Sequence, residues 1–556
     1  MSGVPGSPRV AAASAQRLLA LTAWLAIGAS VAAPAPAATF ADSMDITLDG
    51  ERVYGVGGSS TNEAWIGYSI AAVGDVDGDG LDDFLIGSSR RYLNPGQAGA
   101  AFLVWGFRGP LPNHLPGFVI DTPLVNYFVT IYGATGDDWF GYGVAGGSDV
   151  NGDGHPDFGV GAPFGKYFDN TPVGVHYTLF GHARPWPATI SVATLTGADG
   201  FAGYGSNSSG NAAEESGYSA AFLQHFGDGA YGQVAIGSPI AHVSGDVGVA
   251  SGRVDFLYGR ASFQSYYSLG AYPIGSGGFA IYGGTSQNNN QANLGASVAS
   301  AGDINGDGYE DLIIGAPGDA TLYPYAGSAF VLFGHAGPTL FSLNLGSLNG
   351  TNGFHIDPAA LTNFLAGSQV GTLGDINADG YSDFFLTVPR TSGCQVFALF
   401  GRAGAFPATL DAVAQLDGTH GFQIRSLGAV LEDNTLYCTG ISVAGVGDVN
   451  GDGIDDFVIG DRAAGGRGVV YVVFGHKGTW VLLEPYAMTH GQGAAITGIN
   501  IATSGFGTSV AKLGDINGDG VADFAIGVPT NGTAAGHGGT VVLVLGRDGI
   551  FDNAFE

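Results

Sequence analysis

Positive charge is scarce in this chain: 18 Lys and Arg stand against 48 Asp and Glu among 556 residues, a formal net charge of −30. Such a chain has no cationic surface with which to displace the counterions of a phosphate backbone, so nucleic acid is excluded as the expected partner and small cations are favoured. Charged residues of both signs make up only 12% of the total, yet 45% are apolar, which excludes a solvated disordered polymer and leaves enough for a core. Cysteine is nearly absent, with Cys394 and Cys438 alone, so at most one disulfide can form within the chain. Sustained helical periodicity is missing as well, and nothing beyond the first 37 residues resembles a transmembrane helix.

The one long apolar segment is LLALTAWLAIGASV at 18–31, whose 14 residues fall short of the ~20 that span a bilayer. Arg9 and Arg17 precede it and Ala35-Pro36-Ala37 follows, the order of a secretory signal with cleavage near Ala37. The expected division is a signal peptide at 1–37 and one domain at 38–556, secreted to an extracellular or periplasmic compartment; a retained anchor is the alternative. Cleavage removes two arginines and takes the formal charge to −32. In that oxidising setting a disulfide between Cys394 and Cys438 is favoured over two buried free thiols.

What the chain has in excess is glycine, 98 residues, and repetition. Residues 74–87 read GDVDGDGLDDFLIG, and the stretch returns as SDVNGDGHPDFGVGAP from Ser148, GDINGDGYEDLIIGAP from Gly302, GDINADGYSDFFLTVP from Gly374, GDVNGDGIDDFVIG from Gly447 and GDINGDGVADFAIGVP from Gly514. A worn seventh copy, GYSAAFLQHFGDGAYGQVAIGSP at 217–239, keeps the frame but carries His225, Gly227, Gly229 and Gln233 where the first copy has Asp75, Asp77, Asp79 and Asp83. In each unit an alternating segment such as GYSIAAVGD enters the acidic loop and a short apolar one such as DFLIG leaves it. A third follows, as GAAFLVWG or GSAFVLFG, and then a fourth, as GFVID, GFAGYG, GFAIYGG, GFHID or GFQIRS. Four short strands per unit, repeated seven times, predict an all-β fold: a seven-bladed β-propeller of four-stranded antiparallel blades. Only 10 residues follow the last third-type strand at Gly546, whereas MDITLDGERVYGVGG from Met44 is unattached. The mature N-terminal strand is therefore expected to complete the last blade and close the ring, since an open ring exposes strand edges.

The acids fall at positions 1, 3, 5 and 9 of a nine-residue loop, with position 7 offering its backbone carbonyl. The ligand sets are Asp75, Asp77, Asp79, Leu81 and Asp83; Asp149, Asn151, Asp153, His155 and Asp157; Asp303, Asn305, Asp307, Tyr309 and Asp311; Asp375, Asn377, Asp379, Tyr381 and Asp383; Asp448, Asn450, Asp452, Ile454 and Asp456; and Asp515, Asn517, Asp519, Val521 and Asp523. Hard oxygen donors in a flexible loop, with glycine at position 6 for the reversal, suit Ca²⁺ better than zinc or copper. An EF-hand needs glutamate at position 12, and Ile86, Ile314 or Ile526 stands there. About six structural calcium ions are expected, moving the formal charge from −32 to −20, and the first loop, with four ligand carboxylates against three elsewhere, is predicted to bind most tightly.

These units resemble FG-GAP repeats, the calcium-loop blades of the integrin α-subunit propeller. Phe140-Gly141 with Gly161-Ala162-Pro163 shows the pattern in full, Gly315-Ala316-Pro317 and Phe506-Gly507 with Gly527-Val528-Pro529 come close, and Thr387-Val388-Pro389 is thinned. The resemblance implies a monomeric extracellular module that binds protein or glycan, in adhesion, with calcium loops on a lower face and recognition on the upper one. By that analogy the upper loops are 89–98, 164–174, 207–215, 285–291 and 427–437, with Tyr92, Tyr167 and Phe168 as candidate contacts and both cysteines on the same side. Intact Gly-x-Ser-x-Gly and His-Glu-x-x-His motifs are absent. Ser69, Ser219, Ser297, Ser442 and Ser509 recur at one blade position, which reads as packing; His182, His335 and His476 recur after the third strand, where Arg260, Arg402 and Arg547 stand in other units. No catalytic residue is assigned. The alternative is a calcium-dependent enzyme on polysaccharide or phosphodiester, its carboxylates converging on the upper face.

Overall fold

A computed structural model describes residues 43–45, 53–57, 65–89, 99–108, 118–119, 127–166, 171–206, 214–227, 229–242, 251–270, 277–283, 292–320, 326–336, 344–358, 365–390, 393–428, 431–432, 435–436, 438, 440–489, 491–498, 505–529, 532–533, 536–537 and 539–546. The secretory segment, Tyr92, Tyr167, Phe168 and most of the upper loops named above lie outside them.

Seven antiparallel sheets share one plan. In the first blade Ile70–Gly74 is innermost, followed outward by Asp83–Ser88, Ala100–Val104 and Phe128–Tyr132. The innermost strands neighbour one another in cyclic order, and Ser509–Gly514 of the last blade lies beside Ile70–Gly74 of the first. The chain is a seven-bladed β-propeller, and its described residues contain 3₁₀ turns but no α-helix. None of its described helical segments is long and apolar enough to cross a membrane.

The strand period explains why such short segments hold together. Successive side chains of a strand point to opposite faces, and each blade is covered on both. Phe84 and Ile86 pack against the last blade, while Leu85 between them packs against the second. Hence the second strand of each blade is buried along its whole described length apart from Arg390. The core is accordingly divided into seven clusters, one at each junction between neighbouring blades. At the second junction His176 lies fully buried over Gly159, where a Cβ would collide with its ring. Neither of its nitrogens has a partner, and burial pushes its pKa down to about 3. A base lowered on folding stays neutral in the native state while the unfolded chain takes up protons below about 6.5, so this contribution falls as pH drops from there towards 3. Relative to His176→Val, the wild type is expected to lose about 2 kcal/mol between pH 7 and pH 5 in calcium-containing denaturant titrations; parallel pH profiles would show that the imidazole is not held neutral.

The blades depart from four antiparallel strands in one respect. The connector of the following blade adds a short parallel strand to the outer edge: Thr189–Ser191 beside Phe128–Tyr132, Tyr266–Ser268 beside Gly200–Tyr204, and Thr409–Asp411 beside Gly353–Asp357. The segment GFVID, expected as the first blade's fourth strand, belongs to this class. Its Phe118–Val119 pairs in parallel with Val53–Gly57, and Phe128–Tyr132 takes the fourth place. Each added strand covers backbone groups that an outer edge would leave unpaired. Val53–Gly57 also runs antiparallel to Thr540–Val544, with Val53 opposite Val544.

Candidate functional site

All six intact loops connect a first strand to a second, so all lie at one end of the blades, here the lower end. Each is organised by its own carboxylates. In the first, Asp75 accepts from the N–H groups of Asp79 and Gly80, both at 2.9 Å, Asp77 from that of Asp79 at 3.1 Å, and Asp79 from that of Leu81 at 3.1 Å. The loop from Asp303 repeats this: Asp303 accepts from Gly306, Asp307 and Gly308, Asn305 from Asp307, and Asp307 from Tyr309. Position 6 is left-handed throughout, as at Gly80 with φ 86°. Position 4 is as well, and there the loop from Asp375 puts a non-glycine residue, Ala378, at φ 55°. The sequence reading found the first requirement and missed the second.

Position 9 plays a different part. Asp83, Asp157, Asp311, Asp383, Asp456 and Asp523 are fully buried. One oxygen of each accepts from the N–H of position 2, as in Ile304 to Asp311 at 3.0 Å. The other accepts from the glycine ending the third strand, as in Gly334 to Asp311 at 2.9 Å. This carboxylate therefore ties the loop to its own blade. Burial, reinforced by the neighbouring acids and opposed by those backbone donors, pushes the pKa of Asp83, Asp157 and Asp311 up to about 8, of Asp383 to about 9, and of Asp456 and Asp523 to about 7. Ionised at neutral pH, such groups call for a positive charge beside them.

The donor set supplies a place for one. Oxygens of Asp75, Asp77 and Asp83 lie within 4.8 Å of one another. Carboxylates, an amide oxygen at position 3 of five loops and a backbone carbonyl at position 7 make an all-oxygen set, which fits a hard divalent cation of the calcium type and not a soft metal. Among its described residues the third blade offers no such set. Gln233 replaces the position-9 aspartate, and its buried amide oxygen has no partner.

Neighbouring loops are also joined. In five units the position-8 N–H, that of Asp82, Gly232, Glu310, Ser382 or Ala522, donates to the position-1 carbonyl of the preceding loop, as in Ser382 to Asp303 at 3.0 Å, and in the first six blades the residue after the third strand reaches a preceding position-2 carbonyl, as in His476 to Ile376 at 2.9 Å. The same contacts join the last loop to the first, through Phe107 to Ile516 at 2.7 Å. Three position-8 acids that sequence reasoning did not assign strengthen this belt: Asp82, Glu310 and Asp455 accept from the backbone of Asp515, Gln224 and Asp375. The recurrent serines act between blades too. The hydroxyls of Ser69, Ser219, Ser442 and Ser509 donate to the carbonyls of Gly141, Gly295, Gly507 and Gly67, while Ser297 accepts from the N–H of Val370. His182 and His476 stack on Trp186 and Trp480, with ring centroids 4.1 and 4.2 Å apart. At the upper end Cys394 and Cys438 form a disulfide between the fifth and sixth blades, with Cα atoms 5.4 Å apart.

A five-residue inner strand separates this belt from the upper rim by about 17 Å. On that rim lies an aromatic collar the sequence reading did not identify. Tyr68, Tyr142 and Tyr218 precede the inner strands of three successive blades, and their rings contact in series at 5.2 and 4.9 Å. Trp65 stacks on Tyr68 at 5.7 Å, and Trp139 packs against Tyr142 and Phe164 at 6.0 and 4.7 Å. All six rings are partly exposed, and Trp65 and Trp139 hold left-handed backbones, φ 47° and 56°. Ala296, Ser368, Ile441 and Thr508 take the tyrosine's place in the other blades, so the collar occupies one sector of the rim. The signal in the sequence is the Gly-Tyr pair that precedes the inner strand in these three blades, Gly67-Tyr68, Gly141-Tyr142 and Gly217-Tyr218.

The FG-GAP repeat family matches residues 67–104, 140–175, 294–332 and 506–544, which fall in the first, second, fourth and seventh blades. Among curated proteins the chain is similar to integrin alpha pat-2 of Caenorhabditis elegans, 28% identical over 256 residues, which is 44% of this chain and 18% of that protein. It is also similar to integrin alpha-5 of Xenopus laevis, 30% identical over 190 residues, 33% of this chain and 15% of that protein, and to integrin alpha-V of Gallus gallus, 28% over 247 residues, 42% and 20%. The matched region thus spans no more than about a fifth of these relatives' length. The chain thus carries FG-GAP repeats in four blades of seven, and its seven-bladed propeller matches the N-terminal propeller of integrin α subunits.

Proposed function

We propose that this chain is an extracellular binding module of the adhesion type, with calcium in its six lower loops and a recognition surface for protein or glycan on its upper face. The observation that carries the reading is the separation of two kinds of chemistry by the blade. All-oxygen loops are knitted into a structural belt at one end, and partly exposed aromatic rings gather on one sector of the other. Aromatic rings are effective anchors because they offer a large rigid face at little entropic cost. Burial holds the Tyr142 hydroxyl protonated, so it stays a neutral hydrogen-bonding group. Bound calcium would supply positive charge to the crowded carboxylates; the chain's own residues orient the donors and hold each loop to its blade. The similarity to integrin α subunits supports the extracellular setting, and secretion follows the leader read at 1–37.

The test is binding of the purified chain, in millimolar calcium, to a glycan array and to a panel of extracellular matrix proteins. Trp139→Ala and Tyr218→Ala are each expected to weaken the strongest interaction about thirtyfold, as for an aromatic hot spot, while leaving the calcium-loaded melting temperature within a few degrees. Unchanged binding by both variants would remove the collar from the recognition surface.

A further inference from the structure

The first loop differs from the other five at position 3, where Asp77 stands in place of asparagine. In two of the asparagine loops the amide nitrogen turns to the position-5 carboxylate: Asn151 donates to Asp153 at 2.9 Å and Asn450 to Asp452 at 3.1 Å. The first loop has no such amide, and the next blade delivers a donor instead. Arg184, from the connector after the second blade's third strand, donates through Nε to Oδ2 of Asp77 and through Nη2 to Oδ2 of Asp79 at 3.3 Å. Among the described residues it is the one Lys or Arg ion-paired to any loop aspartate.

The contact is built. The guanidinium lies 5.0 Å from the Trp105 ring, Trp105 packs edge-on against Trp186 at 5.5 Å, and Trp186 stacks on His182 while its indole N–H donates to the His182 carbonyl at 2.8 Å. This aromatic stack fixes where the connector presents its arginine. Asp77 is buried beneath it while the arginine side chain stays half-exposed, so the aspartate's charge is met by the arginine across a contact that water screens only from one side. Four ligand carboxylates and one guanidinium leave the first loop with a net charge of −3, the value that three carboxylates give each of the others.

We propose that Arg184 is a tethered counter-ion of the first loop, which cancels its additional carboxylate and keeps its calcium affinity from exceeding that of the other five. The inference rests on the reading of these loops as calcium sites, and it reverses the ranking that carboxylate number alone predicts. A cation entering the first loop uses oxygens of Asp77 and Asp79 that the arginine already engages, and meets an added positive charge a few ångströms away. At that separation, even with the water-like screening of a half-exposed arginine, one unit charge beside a divalent ion changes affinity by about tenfold.

The test is calorimetric titration of Ca²⁺ into the chelator-stripped full chain as wild type, Arg184→Gln, Asp77→Asn and the double variant, with melting curves in chelator and in calcium. Wild type is expected to show no site tighter than the group. Arg184→Gln should gain one site about tenfold tighter, Asp77→Asn should weaken one site about tenfold, and the double variant should return to the wild-type profile. Arg184→Gln should also melt lower in chelator but not in calcium, widening the calcium-dependent shift, which a purely structural arginine would not do. An Arg184→Gln isotherm matching wild type, or a wild type with one outstandingly tight site that Arg184→Gln weakens, overturns the proposal while leaving the calcium reading intact. Should Arg184→Gln fail to fold, an Asp77→Asn site as tight as wild type overturns it equally. If none of the four chains binds calcium, both readings fall together.

Discussion

Stripping divalent ions with a chelator is expected to lower the melting temperature by about 7 °C relative to millimolar calcium. Extracellular calcium modules bind at about 10⁻⁴ to 10⁻³ M, so at calcium several times Kd each site contributes about 1.2 kcal/mol through mass action, and six contribute roughly 7 kcal/mol. For a domain of roughly 500 residues the unfolding entropy is about 1 kcal/mol/K, which converts that linkage into the stated shift. Removing the ions also restores repulsion among aspartates that each loop crowds together. Asp303→Ala, which disables one loop of six, should lower the melting temperature in calcium by a smaller amount. Asp311→Ala should cost more than Asp303→Ala, because the two N–H groups it leaves without an acceptor, those of Ile304 and Gly334, are buried, whereas the three that Asp303 accepts from, those of Gly306, Asp307 and Gly308, are open to water. Identical melting curves with and without chelator, together with a silent Asp303→Ala, would reject a structural role for calcium.

Deleting residues 38–58 is expected to abolish the cooperative folding transition altogether. The last blade has three strands from the C-terminal part of the chain, and the backbone register places Val53–Gly57 along the outer side of the third, Thr540–Val544. Without that partner, the strand carrying Val541 and Leu543 to the junction with the first blade and Val542 and Val544 to the junction with the sixth gains an open edge, and Phe118–Val119 loses its neighbour. A ring amplifies such a loss: each blade buries two faces, so loosening one blade uncovers the sides of two more. Far-ultraviolet circular dichroism on heating checks this. A truncated chain that melts cooperatively at the wild-type temperature would show that the ring is held by its blade junctions alone.

Blade number and the acidic loops were legible because both are periodic. Seven recurrences of a strand such as DFLIG announce seven blades, and a ligand order at positions 1, 3, 5, 7 and 9 persists through changes such as Leu81 to His155 or Tyr309. What escaped the sequence were contacts made once, or between units. Phe118–Val119 has the composition of an outer strand, and only the competing segment Phe128–Tyr132, aligned with Ala100–Val104, reveals which of the two takes that place. Asp82 and Asp455 looked like surplus acids beside the ligands, yet each reaches a backbone N–H in another blade. Arg184 lies 107 residues from Asp77, and no local pattern joins them. The collar was visible as Tyr68, Tyr142 and Tyr218, but a tyrosine in a repeat says nothing about its neighbours until the blades are placed side by side.

The most direct measurement is the calcium content of the folded chain after equilibrium dialysis in millimolar calcium, read by mass spectrometry of the metal against protein concentration. Six ions per chain are predicted, five for Asp303→Ala, and no additional ion at the third blade. A wild-type stoichiometry near zero, or one that Asp303→Ala leaves untouched, would contradict the assignment of the aspartate loops as the sites that hold this propeller together.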